Sequence, residues 1–134
     1  MLDHHLTLLV LAGTFAICRL DKNSPVPEWA FVGDFYSMTR TFDELSIVCP
    51  QVNVPVGMTC DKGWRCLKVE GVLGLSLTGV IASLATTLAD ASISLFGVST
   101  YDTDYLLVRE KDLKRAVLVL SQAGHEVHQK NGVS

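Results

Sequence analysis

The sequence is poor in charged and in aromatic residues. Of its 134 residues, 19% are charged and 7% are aromatic, and the formal net charge is −3. A nucleic-acid-binding domain usually carries a basic patch or stripe. Here the basic residues are scattered, and the one small cluster comprises Lys111, Lys114 and Arg115. The sequence therefore predicts no nucleic-acid partner.

A long uninterrupted hydrophobic run is also missing. The apolar stretch 6–18 (LTLLVLAGTFAIC) is too short to cross a bilayer as a helix, which takes about 20 residues. It lacks the preceding Lys or Arg of a signal peptide. Gly13 and Thr14 interrupt it with residues typical of a turn. We therefore expect two strands, at 7–12 and 15–20, in a cytoplasmic protein with no membrane partner.

Motifs for metal binding are scarce. His125 and His128 form an HxxH pattern without further ligands, which is a poor metal signal. Asp102 and Asp104 lack the glycine and the terminal glutamate of a calcium loop. The sequence predicts no metal and no cofactor.

The four cysteines form no C-x-x-C motif. Cys18 and Cys49 lie in apolar runs, where a buried and inert thiol is the usual interpretation. Cys60 and Cys66 flank the stretch DKGWR and are candidates for a disulfide in an oxidising compartment.

The second half of the chain shows a regular succession of elements. Leu67 and Val69 alternate with Lys68 and Glu70, which predicts a half-buried strand over 65–71. Apolar residues at helical spacing then predict a helix after Ser76 and another that stops at Gly124. Strands are predicted at 93–100, 104–110 and 125–129. The order is β-α-β-β-α-β, the ferredoxin-like pattern.

The first half is less regular. Segments 35–41 and 44–50 predict a hairpin, and a short helix is expected near Trp29. The segment 50–64 reads as a connector between the halves. An internal similarity supports two related units, because MTRTFDELSIV (38–48) aligns without a gap on STYDTDYLLVR (99–109).

Four blocks of sequence resemble the tandem ACT-domain proteins related to the regulatory domains of aspartate kinase and to the CASTOR arginine sensors. The blocks are TRTFDELSIVCP, GWRCLKVEG, LSLTGVIASLATTLADASIS and STYDTDYLLV. The resemblance implies an α+β fold of two ferredoxin-like βαββαβ units, with antiparallel sheets and helices on one face. It implies a degenerate N-terminal ACT-like unit at 1–58, where a long helix is missing, and a C-terminal ACT unit at 59–134.

The resemblance also implies an amino-acid site at the interface between ACT units. A glycine-containing turn before a helix offers unpaired N–H groups to a carboxylate, although plain capping and packing explain the same residues. Asp104 would pair with an ammonium or guanidinium group, although a turn role explains it too. A basic amino acid suits Asp104, and an α-amino group suits it equally. The expected ligand residues are Gly74, Ser76, Leu77, Thr78, Gly79, Thr100, Tyr101 and Asp104.

Two functional hypotheses follow. The first is a non-catalytic regulatory or sensor protein that binds an amino acid. The alternative is a structural or protein-interaction ACT module that has lost ligand binding. A small enzyme with a Cys60 or Cys66 nucleophile is a third interpretation, but no histidine has a discernible pairing with either thiol. Leu118 falls outside the apolar face of its helix, so we expect it to point outward, and we expect a homodimer that uses this helix or a sheet edge.

Overall fold

The computed structural model describes residues 5–71 and 79–129. They divide into two compact units. Residues 13–64 form the small unit, and residues 5–12 with the described residues from 65 onward form the helical unit. The predicted domain boundary, between 58 and 59, follows chain order and stays a prediction. The compact units instead group the first strand with the second half of the chain.

The described residues contain eight strands and two α-helices. Their bounds are β1 Thr7–Val10, β2 Phe15–Leu20, β3 Ser37–Arg40, β4 Leu45–Pro50, β5 Cys60–Val69, α1 Val80–Asp90, β6 Leu95–Ser99, β7 Asp104–Arg109, α2 Leu113–Gln122 and β8 Glu126–Gln129.

The helical unit has the expected order of elements, from the end of β5 through α1, β6, β7 and α2 to β8. Strand β7 pairs with β5 and β6. Strand β1 lies between β5, to which it is antiparallel, and β8, to which it is parallel. The sheet is therefore mixed, with one parallel pair that the sequence analysis did not anticipate.

One apolar core joins both helices to the strands of this unit. Leu84 and Leu88 of α1 and Leu120 of α2 are fully buried in the same cluster. The strand residues of that cluster include Leu67 and Val69 of β5, two residues apart and therefore on one face of the strand. Both helices thus pack on one face of the sheet, and the predicted α+β, ACT-like fold is confirmed.

The small unit is an antiparallel arrangement in the order β3, β4, β2 and the start of β5. All of residues 13–64 are described, and they contain no α-helix; two short 3-10 turns occur at Glu28–Phe31 and Gln51–Asn53. The first turn matches the short helix expected near Trp29. The missing long helix agrees with the prediction of a degenerate first unit.

Strand β5 corrects two sequence-based expectations. It begins at Cys60, so that residues 60–64 are strand and not connector. Cys60 and Cys66 lie six residues apart on this one strand, which separates them by about 20 Å at about 3.3 Å per residue. The suggested disulfide between them is therefore wrong, and both thiols are free.

Candidate ligand-binding site

The hairpin turn between β6 and β7 comprises residues 100–103. The N–H of Thr100 donates to the carbonyl of Thr103 at 2.8 Å. The Thr100 hydroxyl donates to the same carbonyl at 3.0 Å and accepts from the N–H of Thr103 at 3.2 Å. A threonine that bonds its own turn in this way fixes the local backbone.

Thr103 attaches this turn to the end of β5. Its side chain is buried, and its hydroxyl donates to the carbonyl of Val69 at 2.7 Å. Lys68 and Gly71, close to Val69 in the chain, are thereby held beside the turn. Gly71 has a φ of +89°, a backbone conformation that favours glycine, and a Cβ there would meet no atom of residues 5–71 and 79–129 within 4 Å.

A cavity of about 230 Å³ lies at the turn and the end of β5. Sites for drug-sized ligands enclose about 300–1,000 Å³, so this space suits a smaller molecule. Its lining residues are Lys68, Gly71, Thr100, Asp102, Thr103 and Tyr105.

Two residues of opposite charge line the cavity. Lys68 Nζ is 3.6 Å from Glu70 Oε2, and both side chains are partly exposed. Such an exposed pair is weak, so Lys68 can take another partner at small cost. Asp102 lies on the exposed part of the turn. A lysine and an aspartate at one cavity complement the carboxylate and ammonium groups of a zwitterion.

The predicted ligand residues meet different outcomes. Thr100 lines the cavity, and Tyr101 lies at the tip of the turn with 77% of its surface exposed. Asp104 is the half-buried first residue of β7, where it pairs with Ser99. Gly79 is the N-cap of α1, with a φ of +82°. The remaining four lie outside the described residues: Gly74, Ser76, Leu77 and Thr78. The predicted set as a whole stays a prediction.

Sequence reasoning missed several lining residues. It named Asp104 as the acidic ligand residue and left Asp102 out of the expected set, whereas Asp102 lines the cavity. It treated Lys68 as the solvent side of a strand. The available signal was the glycine at the end of that strand, which marks a place where the backbone is left open.

The small unit repeats this turn in its own hairpin, at residues 41–44. The N–H of Thr41 donates to the carbonyl of Glu44 at 2.9 Å, and its hydroxyl accepts from the N–H groups of Asp43 and Glu44 at 3.1 and 3.2 Å. The turns therefore equate Thr41 with Thr100, two residues away from the alignment proposed from the sequence. A cavity of about 680 Å³ adjoins this turn, lined by Lys22, Asn23, Arg40, Thr41 and Phe42.

The histidines and acidic residues of the described ranges form no cluster suited to a metal ion. Across residues 5–71 and 79–129, no three His, Cys, Asp or Glu side chains are arranged to hold a metal ion. His128 lies 3.5 Å from Glu126, and the buried His125 accepts a hydrogen bond from the N–H of Leu6 at 3.1 Å.

Neither described helix has the length and apolar character to cross a bilayer.

Comparison with protein families and curated proteins identifies relatives of both halves. The ACT-domain family model matches residues 59–122, and a model for an N-terminal domain matches residues 13–57. The human protein CASTOR3P is 30% identical over 100 residues, 65% of this chain and 61% of that protein. The human cytosolic arginine sensor for mTORC1 subunit 1 is 27% identical over 99 residues, 66% of this chain and 30% of that protein. This chain thus spans less than two thirds of either relative.

Comparison with solved structures extends over nearly the whole chain. A protein from Agobacterium tumefaciens, solved by X-ray crystallography, is 39% identical with a TM-score of 0.91, covering 96% of each chain. The ligand-free regulatory subunit of aspartate kinase from Thermus thermophilus has a TM-score of 0.58 at 9% identity, covering 92% of this chain and 95% of its own. At that identity the likeness shows the fold alone.

Proposed function

We propose that this chain, whose residues 59–122 match the ACT-domain family model, is a regulatory protein that binds a free amino acid and catalyses no reaction. The regulatory role is supported by the relative that is named as a cytosolic arginine sensor. The same name supports a cytoplasmic location for this chain.

The cavity beside residues 100–103 is the observation that carries the proposal. In our account, Lys68 binds the ligand carboxylate as a point charge, and Asp102 binds its α-ammonium group. Gly71 allows the ligand to approach the backbone closely. Thr100 and Thr103 hold the turn, so that Asp102 is in place before the ligand arrives.

The charges beside the turn also bear on whether the bound amino acid is basic or neutral. A basic amino acid carries a second cationic group, for which Asp104, the first residue of β7, is the remaining aspartate at this turn. A neutral amino acid needs one acid for its ammonium group. We also propose that the ligand binds at an interface between ACT units, as the family resemblance implies.

Calorimetric titration and thermal unfolding with each of the common amino acids would test the proposal. A ligand that binds the folded chain at 100 times its Kd raises the free energy of unfolding by about 2.7 kcal/mol. We expect one amino acid, or a chemically related group, to give such a shift. If none of them stabilises the chain at millimolar concentration, amino-acid sensing is contradicted.

Charge-removing variants would then locate the site. Lys68→Gln and Asp102→Asn should each weaken binding about tenfold or more, because hydrogen bonds to charged groups contribute about 1.5–3 kcal/mol and about 1.4 kcal/mol is tenfold in Kd. The matched controls are Lys114→Gln and Asp90→Asn, which change exposed charges on the helices. Binding that is equally affected by all four changes, or by none, would place the ligand elsewhere.

The alternative function, a protein-interaction module, also has an observation in its favour. Residues 13–64 expose several large apolar side chains, among them Phe31, Val32, Val52 and Val56. A chain that acts only as a protein-interaction module would bind no amino acid. Its self-association would be weakened by Val32→Lys and left unchanged by Lys114→Gln, as measured by sedimentation velocity.

We also propose a homodimer. Leu118 of α2 is 55% exposed, as predicted, and an exposed leucine on a helix is a candidate contact. Light scattering should give a dimer mass for the wild type and a lower mass for Leu118→Lys. A monomer at high concentration would contradict this.

A further inference from the structure

Three of the four thiols lie on neighbouring strands of the small unit. Cys18 is on β2, Cys49 on β4 and Cys60 at the start of β5. Cys18 is directly opposite Cys60. Cys49 is opposite Ala16, two residues from Cys18, and is therefore its diagonal neighbour. Cys18 and Cys49 are buried in the core of this unit, and Cys60 packs against it.

The register brings Cys18 and Cys60 to disulfide distance. The N–H of Arg19 donates to the carbonyl of Thr59 at 3.0 Å, so these two residues form a hydrogen-bonded antiparallel pair. The next pair along, Cys18 with Cys60, is therefore a non-hydrogen-bonded pair, whose Cα atoms lie about 4.5 Å apart. Disulfides span Cα separations of about 4.4–6.8 Å. The two thiols need no large backbone movement to join.

The pair is open to small reagents. Cys60 is partly exposed, whereas Cys18 is buried. Both thiols line a cavity of about 310 Å³, together with side chains that include Arg19 and Asp61. A small molecule can therefore reach Cys60 first, with Cys18 behind it.

We infer that Cys18 and Cys60 form a redox-active pair that a low-molecular-weight disulfide such as oxidised glutathione converts to a cross-strand disulfide. The Cys60 thiolate attacks one sulfur of oxidised glutathione, forming a mixed disulfide and releasing one glutathione thiolate. Cys18 loses its proton and attacks the Cys60 sulfur, which expels the second glutathione. The two cysteines lose two electrons and two protons, and oxidised glutathione becomes two reduced glutathione molecules.

The surroundings of the pair affect the rate of this reaction. Burial and the neighbouring Cys18 thiol raise the pKa of Cys60, so little thiolate is present near neutral pH. Attack proceeds through the thiolate. The pair should therefore be oxidised slowly by dilute oxidant and be reduced again by dithiothreitol.

Mapping the disulfide in the full-length chain tests the inference directly. The protein is incubated with oxidised glutathione, its remaining thiols are alkylated in denaturant, and the digest is analysed by mass spectrometry. The number of free thiols should fall from the four of the reduced chain by two, and a peptide pair linked through Cys18 and Cys60 should appear. Dithiothreitol should restore all four.

Variants supply the controls. Cys18→Ala should abolish the cross-link and leave Cys60 as a glutathione adduct, while Cys66→Ala, a change at the buried thiol farther along β5, should leave the cross-link intact. Three results would overturn the inference: a wild-type chain that keeps four free thiols, a Cys60 adduct that never resolves, and a link through Cys49. The wild-type result stands even if a variant fails to fold.

Discussion

The two hairpin turns of the chain, at 41–44 and at 100–103, have the same internal chemistry in different surroundings. In each, a threonine closes the turn with its own N–H and accepts a hydrogen bond through its hydroxyl. An aromatic residue and an aspartate follow the threonine in both. The small unit keeps this turn although it contains no α-helix, which shows that the turn depends on local bonds and not on helix packing.

The charges beside the two turns differ. The cavity of the small unit is lined by two cations, Lys22 and Arg40. The Arg40 guanidinium donates to the carbonyls of Lys22 and Ser24, so it fixes the neighbouring loop. The cavity of the helical unit is lined by Lys68 and Asp102. The first cavity presents positive charge and the second presents one charge of each sign, so the residues around the turn, and not the turn itself, set the charge of the cavity.

The cores differ as well, and truncating one residue of each would test that difference. Leu88 of α1 is fully buried between helices and strands, and Ile47 is fully buried in the helix-free core. We expect Leu88→Ala to lower the free energy of unfolding by about 2–5 kcal/mol. We expect Ile47→Ala to cost less, because the core of the small unit holds fewer large buried side chains around it. Urea unfolding measures both. Ile81→Ala, on the exposed side of α1, is the control, and a cost for Ile47→Ala above that for Leu88→Ala would contradict the difference.

The fourth residue of each turn provides a sharper comparison. Thr103→Val removes the hydroxyl that donates to the Val69 carbonyl, and the loss of this buried hydrogen bond should cost about 1 kcal/mol or more. The equivalent Glu44→Ala changes a half-exposed side chain and should stay within about 0.5 kcal/mol. Chemical denaturation of the two variants and the wild type would decide. Equal costs would mean that Thr103 does not anchor its turn.

The part of the pH dependence that comes from histidine should be confined to the helical unit, because residues 13–64 contain no histidine. Burial and the charge of His5 lower the pKa of His125 below 6.5, and its neutral ring accepts the hydrogen bond from Leu6. The unfolded chain then takes up a proton at higher pH than the folded chain. The contribution of neutral His125 to the free energy of unfolding is therefore full above pH 6.5 and declines as the pH falls below that value.

Unfolding in urea at about pH 7.5 and about pH 5.5 would measure this decline. His125→Gln should lower the stability at the higher pH and flatten the decline. His128→Gln, at an exposed site, should leave the decline as in the wild type. If the decline is unchanged in the His125 variant, titratable groups other than His125 cause it.

The smallest effects are expected at the tips of the two turns. Phe42 is 96% exposed and Tyr101 is 77% exposed, so Phe42→Ser and Tyr101→Ser should each change the free energy of unfolding by no more than about 0.5 kcal/mol. Thermal unfolding would check both. A larger loss in one of them would show that its ring has a partner in solution.

Sequence patterns were sufficient for the elements that depend on local spacing. The hairpins, the helix that ends before Gly124 and the outward position of Leu118 follow from periodicity and capping, which act over a few residues. Sequence patterns could not identify Asp102 as a cavity residue. The cavity exists because Lys68 and Gly71 are held beside the turn by tertiary contacts. The threonine turns were misaligned by two residues for a related reason. A gapless alignment compares residue identities and contains no information about hydrogen bonds.

The sequence by itself determined which segments are strands, turns and helices in the second half, and it carried the resemblance to ACT-domain proteins, whose family model matches residues 59–122. Tertiary structure alone decided that β1 lies between β5 and β8, that Cys18 faces Cys60, and that a lysine and an aspartate share one cavity. The physical reason is that helix periodicity and turn bonds act between near neighbours in the chain, whereas strand register joins residues tens of positions apart. Such register is selected by the burial of whole strand faces, which no single segment encodes.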